Sequence, residues 1–148
     1  MQTKITKRKL ISILSLSLLL IIIVVFNSNS PNTLDVQREE DLHQIADVIY
    51  KFAREHNGML PDTDNIDSLS NFPNSPLCIG KADFCYNFAD AGTSNSKDMI
   101  IPNYMGEMPM DPEIGTEENS NYFIHKNAAG KIVLTANIGT KNEIVVVQ

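Results

Sequence analysis

Leu10 to Phe26, LISILSLSLLLIIIVVF, is an uncharged apolar run of 17 residues, and it directs the first part of the chain into a bilayer. As a helix it covers about 25 Å, slightly less than a hydrocarbon core of about 30 Å. Lys9 and Asn27 at its ends can close the gap by snorkelling. Lys4, Lys7, Arg8 and Lys9 precede the run, and no acidic residue occurs before Asp35. The positive-inside bias therefore predicts residues 1–9 in the cytoplasm, a single span over 10–26, and everything after it outside the cytoplasm. A cleaved secretory signal has the same basic start and apolar centre. Its small-residue A-x-A end is missing here: the nearest small pair is Ser28 and Ser30, with Pro31 next, so an uncleaved anchor is favoured. A lipid-modified cysteine is excluded as the tether, because no Cys precedes Cys78. Membrane lipid around residues 10–26 is the partner that the run itself implies.

Residues 27–32, NSNSPN, read as a polar linker in which Pro31 breaks the helix. Residues 33–148 then have the length of one domain. All 18 acidic residues lie beyond the apolar run, whereas four of the 12 basic ones precede it, so this domain is more acidic than the chain's formal −6. Such a surface repels phosphate backbones, and no nucleic-acid contact is expected. The acidity is the ordinary means of keeping an exposed domain soluble.

The domain opens with a helix. Asn32 or Thr33 can cap it, and Asp35, Glu39, Glu40 and Asp41 suit its positive end. Leu42, Ile45, Ala46, Ile49, Phe52 and Ala53 fall at helical spacing and form one apolar stripe. Arg54 and His56 lie in the last turn, and Gly58 suits the C′ position. Residues 59–98 are irregular, punctuated by Pro61, Pro73, Pro76, Gly80 and Gly92. Met99–Tyr104 reads as a short strand or a turn of helix, followed by a loop fixed by Pro109 and Pro112. Tyr122–Lys126 and Lys131–Ile138 read as a hairpin closed by Asn127-Ala128-Ala129-Gly130, with Glu143–Val147 as a third strand. Ile132, Leu134, Ala136 and Ile138 alternate with Val133, Thr135 and Asn137, so one face can be buried. The expected fold is α+β: one amphipathic helix packed on a three-stranded antiparallel meander, with a long irregular loop region.

Cys78 and Cys85 lie in that irregular stretch. Outside the cytoplasm an even cysteine count favours a disulfide over two free thiols. Closing so short a loop stabilises by about 2.5 kcal/mol in the chain-entropy model. The three histidines, His43, His56 and His125, lack ligand spacing, and no metal site is expected from them. Asp62–Asp67 superficially resembles a calcium loop but has Asp67 where the glycine belongs and Pro73 where the closing glutamate belongs. Asp111, Glu113, Glu117, Glu118 and Asn119 could hold a calcium ion, although a solvated acidic loop is the favoured reading. Gly-rich phosphate loops, G-x-S-x-G and H-E-x-x-H are all missing from the sequence. The chain is therefore expected to be non-enzymatic and to carry no cofactor.

Three phrases resemble the globular part of bacterial type IV pilin-like proteins and pseudopilins. The first is REEDLHQIADVIYKFAREHNGMLPD, the second PLCIGKADFCYNFADAG, and the third IIPNYMGEMPMDPEIGTEENSNYFIHKNAAGKIVLTAN. The third is similar to the family's Y-x-x-x-x-P-x-D-P loop followed by a tyrosine-led hairpin. The resemblance spans about residues 38–137. It implies a helix on a small antiparallel sheet and a structural role in an envelope filament, a type II secretion system or a DNA-uptake pseudopilus, with their assembly proteins as partners. Prepilins carry Gly just before the apolar run and Glu at the fifth position after the cut. Here Lys9 and Leu14 stand at those places, so the run reads as a permanent tether. The same departure supports an alternative: an anchored binding or sensing module on a pilin-like scaffold.

Overall fold

The computed structural model describes residues 33–64, 71–94, 98–138 and 142–147, with positions 137, 138, 142–144, 146 and 147 given by backbone alone. The expected span 10–26 lies outside them, as do the basic segment 1–9 and the linker 27–32. Among the described residues, no helix is long and apolar enough to cross a membrane.

Helix α1, Thr33–Glu55, follows from the apolar stripe. Leu42, Ile45, Ala46, Ile49 and Phe52 are all buried, joined by Val48, while Ala53 sits at the margin. Full burial of a side chain the size of Phe52 or Leu42 stabilises by about 1.5–3 kcal/mol, which is why the stripe rather than intrinsic propensity holds the helix. The helix ends with the Gly58 amide donating to the Ala53 carbonyl at 2.7 Å, the outer bond of a Schellman turn. Asn57 (φ 56°) occupies C′, one residue earlier than the position expected for Gly58, and Gly58 (φ 87°) follows it. Asparagine is among the few side chains that enter the left-handed region readily, so it takes the position.

The sheet has the order β1-β2-β3-β4, with β1 Leu77–Cys78, β2 Tyr122–Lys126, β3 Ile132–Ile138 and β4 Asn142–Val147. All pairings are antiparallel. The expected meander is β2-β3-β4. The added strand β1 comes from the stretch read as irregular: Leu77 and Cys78 pair with Ile124 and Phe123. Two residues give too short a period for a sequence pattern to register. In the β2–β3 register Tyr122 faces Ala136 and Ile124 faces Leu134, and all four are buried on one side. Ile132 is buried on that side as expected, and Val133 is buried as well.

The Asn127–Gly130 turn is held by the Asn127 carboxamide, which accepts from the Ala129 and Lys131 amides at 3.0 Å each. Gly130 (φ 78°) supplies the left-handed residue that returns the chain to β3. Helix α1 packs on β3 and β4, giving the expected α+β architecture. Met99–Tyr104 contains a short helical turn, Ile100–Asn103, with Ile100 in the core. Phe72, Tyr86 and Phe88 extend that core beneath the irregular segment, the Phe72 and Tyr86 rings meeting edge to face at 5.5 Å. The Tyr86 hydroxyl donates to the Pro61 carbonyl, which satisfies the polar end of a buried ring.

Candidate functional site: a stapled crevice between two loops

Two segments with little regular structure, residues 78–86 and 105–120, meet beside the sheet, and each is fastened by a different device. The first is closed by a disulfide between Cys78 and Cys85, with an S–S distance of 2.04 Å. Inside it, the Tyr86 amide donates to the Cys78 carbonyl (2.7 Å) and the Cys85 amide to the Ala82 carbonyl (2.8 Å). The backbone amides are thus satisfied without a longer strand.

The second loop is fastened by Arg38. This side chain lies one helical turn before Leu42, on the face of the apolar stripe, and is only 3 % exposed. Its Nε donates to Asp111 Oδ2 at 2.7 Å and its Nη2 to Asp111 Oδ1 at 3.2 Å. Asp35 receives Nη1 at 2.9 Å, and Glu113 receives Nη2 at 3.1 Å. Glu113 is largely exposed, so that arm adds little. Asp111 also accepts from the Glu113 and Ile114 amides at 2.9 and 3.1 Å. Burial alone would raise its pKa. The hydrogen bonds from Arg38 and the two amides outweigh burial and hold it at about 2, below the ordinary 3.8. Arg38 is held above its ordinary value chiefly by its bond to Asp111, against the opposing effect of burial.

A second tie lies one turn along α1. The Tyr122 hydroxyl donates to Asp41 Oδ2 at 2.6 Å. Burial raises the Asp41 pKa, and the bond from Tyr122 only partly offsets it. Together Arg38 and Asp41 fix the start of α1 to the 105–120 loop and to the first residue of β2.

The two loops are zipped to each other through backbone. The Ser120 amide donates to the Ile79 carbonyl at 2.8 Å, the Lys81 amide to Glu117 at 2.9 Å and the Ala82 amide to Glu118 at 3.0 Å. Gly80 lies where this seam is tightest, and a Cβ there would collide with the Glu118 carbonyl. The Lys81 ammonium adds an exposed ion pair to Glu117 at 2.6 Å. Between the loops opens a crevice of about 330 Å³. Its floor is Ile79 and Phe88, and its walls carry Ile101, Met108 and Met110. Lys81, Asp90, Glu107 and Glu117 stand among its lining residues. That volume is at the lower end for a ligand site, about 300–1,000 Å³.

Of the residues singled out in the sequence, Cys78 and Cys85 pair as expected. In the acidic set Asp111, Glu113, Glu117, Glu118 and Asn119, the glutamates are exposed as in a solvated loop, and Asp111 is the exception. Asp111 is buried on Arg38, Glu117 pairs with Lys81, and the Asn119 carboxamide accepts from the Asn121 amide at 2.9 Å. Among the described residues, no group of three or more His, Cys, Asp or Glu side chains converges as a ligand set. In the calcium-like segment, Asp62 is buried and its backbone bridges to Gly92, while residues 65–67 lie outside the described residues.

The histidines stay apart. His43 is exposed on α1, and His125 lies in β2. His56 stacks on Phe52 with ring centroids 4.3 Å apart, and its Nε2 lies 3.0 Å from the Tyr104 hydroxyl. That hydroxyl donates to Glu55 at 2.9 Å. Burial first and the Glu55 carboxylate second push Tyr104 up to about 12, which disfavours its use as a nucleophile.

Nothing in the sequence but its spacing of four from Leu42 marks Arg38 as buried, because a charged residue at the start of a helix ordinarily faces water. Comparisons of the chain with protein-family models, with curated proteins and with solved structures yield no match.

Proposed function

We propose that this is a non-enzymatic, membrane-anchored extracytoplasmic protein of the type IV pilin-like or pseudopilin-like kind, serving as an accessory component of a pilus, a type II secretion system or a DNA-uptake machine. The supporting observation is the clamp between α1 and the PMDP segment. Arg38, at the start of the first resembling phrase, holds Asp111 in the third, so residues that carry the resemblance are structurally coupled. The apolar run Leu10–Phe26 supplies the tether, and the disulfide suits a compartment where thiols oxidise. On this reading the domain is a rigid docking module held near the membrane.

Photo-crosslinking from exposed positions Val36 and Tyr50 of α1, in cells that make filament or secretion machinery, tests the reading. Adducts with assembly or filament proteins are expected in the membrane fraction, with an intact mass that retains residues 1–26. Crosslinks confined to unrelated proteins would overturn it. A cut near residue 9 would reject the permanent tether and return the chain to the processed subunits.

The alternative reading, an anchored binding or sensing module on the same scaffold, is favoured by one observation. The crevice is walled by two loops that are individually fastened, and such preorganisation lowers the cost of binding.

A further inference from the structure

We propose that the crevice between residues 78–90 and 105–120 docks a peptide segment of a partner protein, taking one large aliphatic or aromatic side chain between Met108 and Met110 with a lysine or arginine on either flank against Asp90 and Glu107. This deepens the docking-module reading and rests on it.

The apolar part of the argument is the lining. Ile79 and Phe88 form a floor from the core, and Ile101, Met108 and Met110 are only partly covered. Methionine is flexible and polarisable, and it adapts to side chains of differing shape. On the same two loops Phe84 is 70 % exposed and Ile114 is 63 % exposed, while Met110, which lines the crevice, is 40 % exposed. Large apolar side chains exposed on both of the loops that form the crevice favour a protein segment over a small molecule.

Charge chooses the flanks. Among the described residues, Lys81 is the only cation lining the crevice, and it is already paired with Glu117 at 2.6 Å. Asp90 and Glu118 reinforce the ammonium further, so local negative charge exceeds positive. Glu107 is left to meet an incoming cation, and Asp90 adds its charge there while its Oδ2 accepts from the Asn87 carboxamide at 2.8 Å. A phosphate, a fatty-acid carboxylate or an acidic peptide would face repulsion here, and so would a second copy of this acidic domain. A basic flank gains on-rate and orientation from the same field. The walls are fixed before the partner arrives, by the disulfide on one side and by Asp111 on Arg38 on the other.

The test uses the full chain in nonionic detergent and fluorescence anisotropy with labelled peptides. GSKRLKRSG is the probe, with GSKRSKRSG and GSEELEESG as comparators. Saturable binding of the first is expected, with a loss of about tenfold on replacing its leucine by serine. The acidic peptide should not bind, and raised salt should weaken the basic one. Met110→Lys and Glu107→Lys should each weaken binding about tenfold while Met110→Leu retains it. Unchanged melting and an intact disulfide in each variant separate a lost site from a lost fold. Binding that ignores the leucine, or that survives both lysine variants, overturns the proposal, as does no binding at all. Concentration-dependent dimerisation abolished by Met110→Lys would assign the crevice to a second copy instead. Likewise, binding to lipid vesicles that Met110→Lys abolishes would assign it to a membrane surface. Crosslinks to assembly proteins without peptide binding would sink this proposal alone. Peptide binding without such crosslinks would sink the pilin-like reading alone.

Discussion

Arg38 and Asp111, 73 residues apart in the chain, form a two-point ion pair in which the arginine is 3 % exposed and the aspartate side chain is fully buried. A buried pair of this kind is poor evidence of net stabilisation, because desolvating both ions opposes their attraction. Breaking it is another matter. Asp111→Ala leaves Arg38 with Asp35 and a largely exposed Glu113, and it strips the Glu113 and Ile114 amides of their acceptor. The expected loss in urea denaturation is about 3–5 kcal/mol. Asp111→Asn keeps an acceptor for the amides but faces Arg38 Nε with a donor, and should cost about 2 kcal/mol. The double variant Arg38→Met with Asp111→Leu should be more stable than Asp111→Ala. If it is as unstable as the single variant, the pair is not what holds the loop.

The two aspartates at this end of α1 titrate in opposite senses. The folded pKa of Asp111, at about 2, lies below its ordinary 3.8. Its contribution is therefore complete above pH 3.8 and is lost as pH falls toward 2. Asp41 is raised, chiefly by burial, so its ionisation destabilises the fold as pH rises through its folded pKa. Asp41→Asn stays neutral and can still accept from Tyr122. It should match or exceed the parent at pH 7, with any advantage vanishing below pH 3.8. Denaturation at pH 3, 5 and 7 measures both effects. An Asp41→Asn chain that is markedly less stable at pH 7 would show that Tyr122 requires the carboxylate.

What the sequence made legible follows from periodicity. The stripe Leu42–Phe52 and the alternation Ile132–Ala136 each repeat often enough to define a buried face, and both faces are buried in the structure. The cysteine pair was legible from parity and from the compartment that the apolar run implies. The crevice was not, because its parts come from positions as distant as Ile79, Met108 and Glu117, whose relation is set by backbone bonds between loops. Arg38 and Asp111 were each visible, as a charge on a helix and a charge in an acidic loop. Only the fold turns both inward, because the stripe that begins at Leu42 extends one turn earlier and meets the loop there.

The disulfide closes a loop with little other regular structure. Reduction, or Cys78→Ser with Cys85→Ser, should lower stability by about 2.5 kcal/mol on chain entropy. Because Lys81 and Ala82 lie inside the closed loop and donate to Glu117 and Glu118, loosening it should also open the wall of the crevice. Hydrogen exchange of the Lys81 and Ala82 amides should accelerate on reduction more than that of the Ile124 amide in β2. Uniform acceleration would mean that the disulfide stabilises the fold as a whole and not this wall.

Gly80 and Gly106 both line the crevice and differ in what a methyl group would meet. At Gly80 a Cβ would strike the Glu118 carbonyl and crowd Asn119, both parts of the backbone seam. No flexible side chain can yield there. Gly80→Ala must part the two loops, and strain of this kind costs about 1–3 kcal/mol. At Gly106 a Cβ meets nothing within 4 Å, and the backbone is not in the left-handed region. Gly106→Ala should be neutral or stabilise by about 0.4–1 kcal/mol through the unfolded chain. Thermal melts of the two variants supply the comparison, and hydrogen exchange at Lys81 and Ala82 locates the damage. A Gly80→Ala chain that melts with the parent and protects those amides equally would mean that the seam is looser than its hydrogen bonds imply, and the crevice would then lack a fixed wall.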